Sequence, residues 1–121
     1  MKPSMAEYVD TTVDLMQREL SDEPEEMKHQ LREVEGRLGY MYFILAAANG
    51  ELDVAESKQL EALQRQYEKL SAFEKEVMIR AACSPYREFR DMVNGQIKAI
   101  EGRIILGLGI MKDARKLPME R

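Results

Sequence analysis

A carboxylate and an imidazole three residues apart on a helix form the ligand pair of di-iron helical bundles, where both side chains project into the bundle core. Glu26 and His29 have this spacing, and His29 is the only histidine among the 121 residues. Leu31 and Leu38 mark the packed face of the same predicted helix, and they place His29 on the opposite face. The spacing therefore favours a solvated surface histidine over a metal ligand, and we expect no metal site.

Glu88 and Asp91 have the Glu-x-x-Asp spacing with which all-helical nucleotide pyrophosphohydrolases hold magnesium, together with a Glu-x-x-Glu pair on a nearby helix. In this sequence only Glu23 and Glu26 form such a partner pair. They sit in the first turn of a predicted helix, where acidic residues complement the helix dipole. That structural role is favoured over a magnesium site.

Cys83 directly precedes a predicted helix N-terminus, a location that can activate a thiol, but no histidine is placed in the sequence to act as its base. A small buried core residue is the favoured interpretation. A lone cysteine forms no internal disulfide, and residues 1–4 lack the apolar stretch of a signal peptide. We therefore expect a cytoplasmic protein that is not an enzyme and that has no catalytic residue and no cofactor.

The elements that would position these side chains are predicted to be helices throughout. A short oxygen-bearing residue followed three positions later by Glu marks a helix N-terminus, and a Ser-Pro pair marks another. Asn49-Gly50 predicts the end of the second helix. These signals predict about five helices in a single domain, residues 1–121: one from Ser4 with Glu7 to about Leu20, a long one over about 23–48 that opens with Asp22 and Glu25, one that opens at Asp53 with Glu56, one that opens at Ser71 with Glu74, and a long one over about 85–114 that follows Ser84.

Two apolar seams run along the two long helices, with the alternating steps of three and four residues that place side chains on one helix face. They predict an all-α helical bundle with coiled-coil-like seams, in which the long helices pack antiparallel, either within one chain or between two. The shorter helices are also predicted to face the core. The first seam comprises Met27, Leu31, Val34, Leu38, Met41 and Leu45; the second comprises Phe89, Val93, Ile97, Ile100, Ile104, Leu108 and Met111; the shorter helices contribute Leu60, Leu63, Tyr67 and Leu70, then Phe73, Val77, Met78 and Ala81.

Three glycines, Gly95, Gly102 and Gly109, recur every seven residues along the last predicted helix. Each glycine costs a helix about 1 kcal/mol relative to alanine, so their repetition indicates a compensating gain such as the close approach of another backbone. We expect a continuous helix whose glycines admit a close neighbour and form part of a protein contact. The alternative is that the helix breaks at Asn94-Gly95 and frays at Gly107-Leu108-Gly109.

Other contact candidates are the aromatic residues of the first long helix and the basic residues near the C-terminus. Tyr40, Tyr42 and Phe43 cannot all occupy one seam, so some must face another surface, where they are candidates for protein contact. Residues 84–121 contain 8 basic and 5 acidic side chains, whereas residues 1–83 contain 10 and 17. Lys112, Arg115 and Lys116 are the only clustered cations of this C-terminal part, and they are the candidates for nucleic-acid contact.

Residues 38–56 read LGYMYFILAAANGELDVAE and continue into the stripe of Leu60 and Leu63. This stretch resembles the helix-loop-helix of tellurite-resistance TerB-like domains, in which an apolar helix ends in Ala-Ala-x-Asp-Gly, followed by an aliphatic residue, an acidic residue and a helix-opening Glu. The resemblance covers about residues 38–83. Asn49 stands where that family usually has Asp, and a second acidic cluster that would indicate a metal role is lacking. The resemblance implies a helical intracellular module.

With no reactive centre indicated, the sequence predicts a protein that acts by contact. We expect a helical adaptor or regulator that binds another protein and self-associates as a homo-oligomer; an accessory protein of a phage or mobile element would fit this description. The alternative is a nucleic-acid-associated protein that uses its basic C-terminal helix and tail. The longest apolar run, residues 104–111, falls far short of the roughly 20 residues of a membrane helix, so no membrane span is expected.

Overall fold

The structure is a computed structural model that describes residues 3–66 and 69–116. Within these residues it contains four α-helices and no strand: α1 (Pro3–Met16), α2 (Pro24–Gln66), α3 (Ala72–Ala82) and α4 (Ser84–Lys116). The all-helical prediction is confirmed. The prediction of five helices is wrong, because the second and third predicted helices form the single helix α2.

Helix α2 continues through Asn49 and Gly50, where the sequence predicted its end. No described glycine has the positive φ of a helix-terminating residue. Ala48 and Leu52 are both buried, so the apolar face of α2 extends across the predicted break. Burial of this face compensates for the roughly 1 kcal/mol that a helical glycine costs.

Of the five predicted helix starts, the one at Ser71 is confirmed, those at Ser4, Asp22 and Ser84 are displaced by about one residue, and the one at Asp53 is wrong, because α2 continues through it. Ser71 caps α3, since its Oγ accepts a hydrogen bond from the Glu74 N–H at 3.1 Å. At α2 the capping carboxylate is that of Glu23, one residue after the predicted Asp22, and it accepts from the Glu26 N–H at 2.9 Å. The other three predicted caps lie within helices: Ser4 in α1, Asp53 in α2 and Ser84 in the first turn of α4.

Helices α2 and α4 pack antiparallel within one chain. Early residues of α2 meet late residues of α4, as at Leu31 and Gly107, whereas Glu56 near the end of α2 pairs with Arg87 near the start of α4. Helix α1 also packs against the core between α2 and α4. The buried residues of this core are Met5, Val9, Val34, Met41, Ile44, Val93, Ile97 and Ile100.

Helix α4 is continuous through Gly95, Gly102 and Gly109, as expected. Apart from adjacent residues and nearby backbone of α4 itself, no described atom lies within 4 Å of a Cβ built at any of these three glycines, so the expectation of a close neighbour is not met within the chain. The close approach occurs at Gly107, which is buried and whose added Cβ would lie 2.6 Å from Leu31 Cδ1. Leu108, predicted to be in the seam, is instead 55% exposed, because Gly107 continues the spacing set by Ile100.

Helix α1 ends at Met16, four residues before the predicted Leu20, and arginines of the two long helices hold it. Arg37 of α2 donates to the hydroxyls of Thr11 and Thr12 at 2.9 and 3.1 Å. Arg103 of α4 donates to the Met16 carbonyl at 2.6 Å and also to the Arg18 carbonyl. Arg103 therefore satisfies carbonyl groups that the end of α1 leaves without helical partners.

The prediction that the apolar residues of α3 face the core is wrong. None of the residues of α3 is buried, and Phe73, Val77, Met78 and Ala81 are all exposed. In the preceding stripe Leu63 is buried and Leu70 half-buried, Leu60 is exposed, and Tyr67 lies outside the described residues. Helical spacing shows which side chains share a face, but it does not show whether another element covers that face.

Candidate contact surfaces

Helix α3 presents an apolar face to solvent. Phe73 and Val77 lie four residues apart and therefore on the same face, and Phe73 is 73% exposed. Met78 is exposed beside them. Local interactions support the helix: the Ser71 cap at its start and an ion pair between Glu76 and Arg80 at 3.0 Å. We call Phe73, Val77 and Met78 the α3 face.

A groove of about 690 Å³ separates α3 from α2 and the start of α4. Leu60 of α2 and Ile79 of α3 contribute apolar surface, and cationic and anionic side chains also line the groove. Glu56 pairs with Arg87 at 2.6 Å, and the buried Nε of Arg87 has no hydrogen-bond partner among the described atoms. Because charges of both signs line it, the groove suits a mixed polar and apolar peptide surface better than a phosphate.

The aromatic residues singled out from the sequence are exposed but do not form one surface. Tyr40 packs edge-on against Tyr8 of α1, with ring centroids 4.6 Å apart, and stacks on Phe43 at 5.7 Å. Tyr42 points elsewhere and donates its hydroxyl to Glu101 of α4 at 3.1 Å. This hydrogen bond, with partial desolvation and the negative charge of Glu101, raises the pKa of Tyr42. Tyr8, Tyr40 and Phe43 form what we call the aromatic cluster.

The residues considered for metal chemistry are not brought together. His29 is exposed and pairs with Glu33 at 2.8 Å. Glu23 and Glu26 lie at the start of α2, whereas Glu88 and Asp91 lie at the start of α4. Because the two helices are antiparallel, the start of α4 lies beside the end of α2. At 1.5 Å per residue along α2, the two acidic pairs are about 45 Å apart. No group of three or more His, Cys, Asp and Glu side chains in the described part of the chain is arranged to hold a metal ion.

Cys83 is buried at the junction between α3 and α4, as the sequence predicted. It is the single residue between the two helices. Its N–H donates to the carbonyl of Ile79 and its own carbonyl accepts from the N–H groups of Tyr86 and Arg87. Cys83 therefore fixes the turn between the helices and is not exposed for chemistry.

Several cations of the basic C-terminal part are engaged within the chain. Arg87 pairs with Glu56, Arg90 with Asp91, and Arg103 holds the end of α1. Lys98 and Lys112 are exposed. The side chains of Arg115 and Lys116, two of the three candidates for nucleic-acid contact, lie outside the described ones.

The face of α4 opposite the core has large apolar residues that the sequence analysis did not single out. Ile105 is 72% exposed and Leu106 60% exposed, on the face that also contains Gly95, Gly102 and Gly109. A signal for this face was present in the sequence, because neither residue fits the seam set by Ile100 and Ile104.

None of the protein-family models, curated proteins and solved structures compared with this chain matches it. Functional inference therefore rests on the arrangement of its own residues. Among the described helices, none combines the length and the apolar character that crossing a bilayer requires.

Proposed function

We propose that this protein is a non-enzymatic helical adaptor or regulator that binds another protein through the α3 face and the adjoining groove. The observation that carries the proposal is that α3 buries none of its residues and that Phe73 is 73% exposed. The same proposal includes a cytoplasmic location, which the lone cysteine suggests. It also includes a TerB-like ancestry, which residues 38–83 suggest.

A partner would supply what α3 lacks within the chain. Helices shorter than about 12–15 residues are marginal in water, and most helices in proteins depend on packing of an apolar face. Helix α3 has 11 residues. Each Å² of apolar surface that a partner removes from water contributes roughly 25 cal/mol, so covering Phe73, Val77 and Met78 would stabilise both the complex and α3.

The alternative of nucleic-acid binding has weaker support. Phosphate binding depends on releasing counterions from several clustered cations, and Arg87, Arg90 and Arg103 are engaged inside the chain. Salt distinguishes the two functions. An apolar protein contact should respond weakly to added salt, whereas binding to DNA or RNA should weaken steeply.

The test compares partner capture by the full chain and by two single variants, Phe73→Gln and Phe43→Gln. Phe43 is the matched control, since it is also an exposed aromatic residue but lies on α2 in the aromatic cluster. We expect a protein from the native host to be retained by the unchanged chain and by Phe43→Gln, and to be lost with Phe73→Gln. Because both side chains are largely exposed, each variant should keep the free energy of unfolding within about 0.5 kcal/mol.

Three results would contradict the proposal. One is equal retention of the partner by Phe73→Gln, which would remove the α3 face from the interface. Another is loss of the partner only with Phe43→Gln, which would transfer binding to the aromatic cluster. The third is retention that disappears after nuclease treatment and with added salt, which would favour the nucleic-acid function.

A further inference from the structure

Among the described helices, α3 is the one that contributes no side chain to the core. The buried residues of the core belong to α1, α2 and α4, and the half-buried apolar residues packed against them belong to the same three helices. Within α3 only Lys75 and Ile79 are even half-buried. Unfolding α3 by itself would therefore leave the core intact and expose little additional apolar surface.

The polar interactions of α3 are local as well. Among the described residues, its side-chain hydrogen bonds and ion pairs stay between Ser71 and Arg80: Ser71 caps the helix through the Glu74 N–H at 3.1 Å, and Glu76 pairs with Arg80 at 3.0 Å. Both members of this ion pair are exposed, and such pairs contribute little to stability. The described side chains thus form no hydrogen bond or ion pair that fixes α3 to another helix.

Helix α1 is also short, but it is fixed to the rest of the molecule. Val9 and Thr12 are fully buried, Arg37 of α2 donates to the Thr12 hydroxyl at 3.1 Å, and Arg103 of α4 donates to the Met16 carbonyl at 2.6 Å. Helix α3 has 11 residues and no comparable anchor along its length. Isolated helices of fewer than about 12–15 residues are marginal in water, so α3 has little to hold it in the helical state.

The flanks of α3 limit how far its unfolding would spread. Leu63 of α2 is buried before α3, and Cys83 is buried directly after it. On the α4 side, Pro85 has no N–H to donate to the Ala81 carbonyl, so the helical hydrogen bonds do not run unbroken from α4 into α3. Buried side chains therefore hold both flanks in place, while the hydrogen bonding between α3 and α4 is interrupted.

We propose that α3 is an order-disorder switch, which unfolds and refolds locally while α1, α2 and α4 stay folded and which the bound partner holds in the helical state. Ordering of a segment is a recognised way to regulate a contact. Here it regulates the α3 face of the proposed function, on which this inference rests, because that face exists only in the helical fraction of the molecules. The apparent dissociation constant for the partner is the intrinsic constant divided by that fraction.

Ser71 controls the helical fraction without belonging to the α3 face. Its side chain bonds only within the first turn of α3, to the N–H and the carboxylate of Glu74. Loss of a helix cap typically shifts the helical equilibrium about fivefold, and aspartate caps a helix about as well as serine. Ser71→Ala and Ser71→Asp therefore form a matched pair, since both remove the serine but only the first removes the cap.

The first test measures amide hydrogen exchange along the free chain. We expect protection factors below about 10 for residues 76–82, because the helical and unfolded states of α3 have comparable populations. Residues 97–100 of α4 should exceed about 1,000, since only global unfolding exposes them. Low concentrations of urea should accelerate exchange at 97–100 but hardly change it in α3, where opening exposes little surface. Ser71→Ala should accelerate exchange in α3 about two- to fivefold relative to Ser71→Asp.

The second test uses trypsin, whose cuts within a helix follow the population of the unfolded segment when opening is fast. We expect the first cuts within the described helices after Lys75 and Arg80. Lys58 and Lys98 should resist, although they are more exposed than Lys75, because they lie on helices with a buried face. Ser71→Ala should be cut about two- to fivefold faster than Ser71→Asp. The cut chain should still sediment near 14.0 kDa, since its core contains no residue of α3.

Protection factors above about 100 in α3, together with exchange that urea accelerates as steeply as at 97–100, would overturn the proposal, because α3 would then open only with the whole molecule. First cuts after Lys58 or Lys98 would do the same. Neither measurement includes a partner, so these failures would leave the α3 face as a contact surface. Equal capture by Phe73→Gln would instead reject the proposed function and leave local unfolding intact.

A final measurement links the switch to binding. The probe is the host protein that the unchanged chain retains in the capture experiment. With this protein bound, exchange at residues 76–82 should slow at least about tenfold, because only the helical state presents the α3 face. Unchanged exchange in the complex would show that the partner does not hold α3 in the helical state.

Discussion

At the scale of single residues, Gly107 of α4 packs against Leu31 of α2 and has no room for a side chain. A Cβ at Gly107 would lie 2.6 and 2.7 Å from the two Cδ atoms of Leu31, which is itself buried. Gly107→Leu should therefore lower the free energy of unfolding by about 1–3 kcal/mol, measured by urea denaturation. Gly36→Leu, on an open face, should instead raise it by up to about 1 kcal/mol.

A double variant separates overpacking from other effects at this contact. Combining Gly107→Leu with Leu31→Ala moves the large side chain from one helix to the other and roughly conserves the core volume. The double variant should therefore lose less free energy of unfolding than the sum of the losses in the two single variants. Additive losses would show that the two positions do not share one space.

Also at the residue scale, the hydrogen bond from Tyr42 to Glu101 predicts a pH dependence. The pKa of Tyr42 is raised above its ordinary value of 10.0 by the hydrogen bond to the Glu101 carboxylate. The folded state thus holds this proton more tightly than the unfolded state. The resulting contribution to stability is present below pH 10 and is lost as the pH rises through the pKa of the folded protein.

The measurement is a phenolate absorbance titration of the protein and of Tyr42→Phe, whose difference reports Tyr42 among the five tyrosines. Glu101→Ala should return the pKa of Tyr42 toward its ordinary value. An unchanged titration in Glu101→Ala would assign the raised pKa to another cause.

At the scale of helices, the uninterrupted course of α2 predicts the effect of changing Gly50. This glycine is exposed, has no described atom within 4 Å of an added Cβ, and does not adopt a positive φ. Gly50→Ala should raise the free energy of unfolding by up to about 1 kcal/mol in a chemical denaturation experiment. If a helix ended here on a left-handed glycine, the same substitution would be destabilising.

At the scale of the whole molecule, the core lies on one side of α4 and solvent on the other. Ile100 is fully buried among residues of α1 and α2, whereas Ile105, five residues later, is exposed. Ile100→Ala should lower the free energy of unfolding by about 2–5 kcal/mol, because it leaves a cavity between packed helices. Ile105→Ala should change it by no more than about 0.5 kcal/mol at a concentration where the chain is monomeric. Comparable losses in the two variants would place the core on both sides of α4.

The sequence by itself determined the helical class, the two long apolar seams and the burial of Cys83. Steps of three and four residues between Met27 and Met41, and between Val93 and Ile100, are a local property of the chain, and they place these side chains on one face in any helix. The Ser71 cap was predicted from a local pattern, an oxygen-bearing side chain three residues before Glu, but Ser4 and Asp53 have the same pattern and lie within helices. The exposure of His29 followed from its position opposite the seam.

Only the tertiary structure decided where helices end and which apolar faces are covered. Asn49-Gly50 is a helix-ending signal locally, but burial of Ala48 and Leu52 on either side extends α2 through it. Phe73 and Val77 form an apolar stripe like those of the core, yet no element among the described residues covers it, and Gly107 rather than Leu108 meets α2. These outcomes depend on which faces of the antiparallel helices pack against each other. That packing involves residues far apart in the sequence, so the pattern of a single helix does not reveal it.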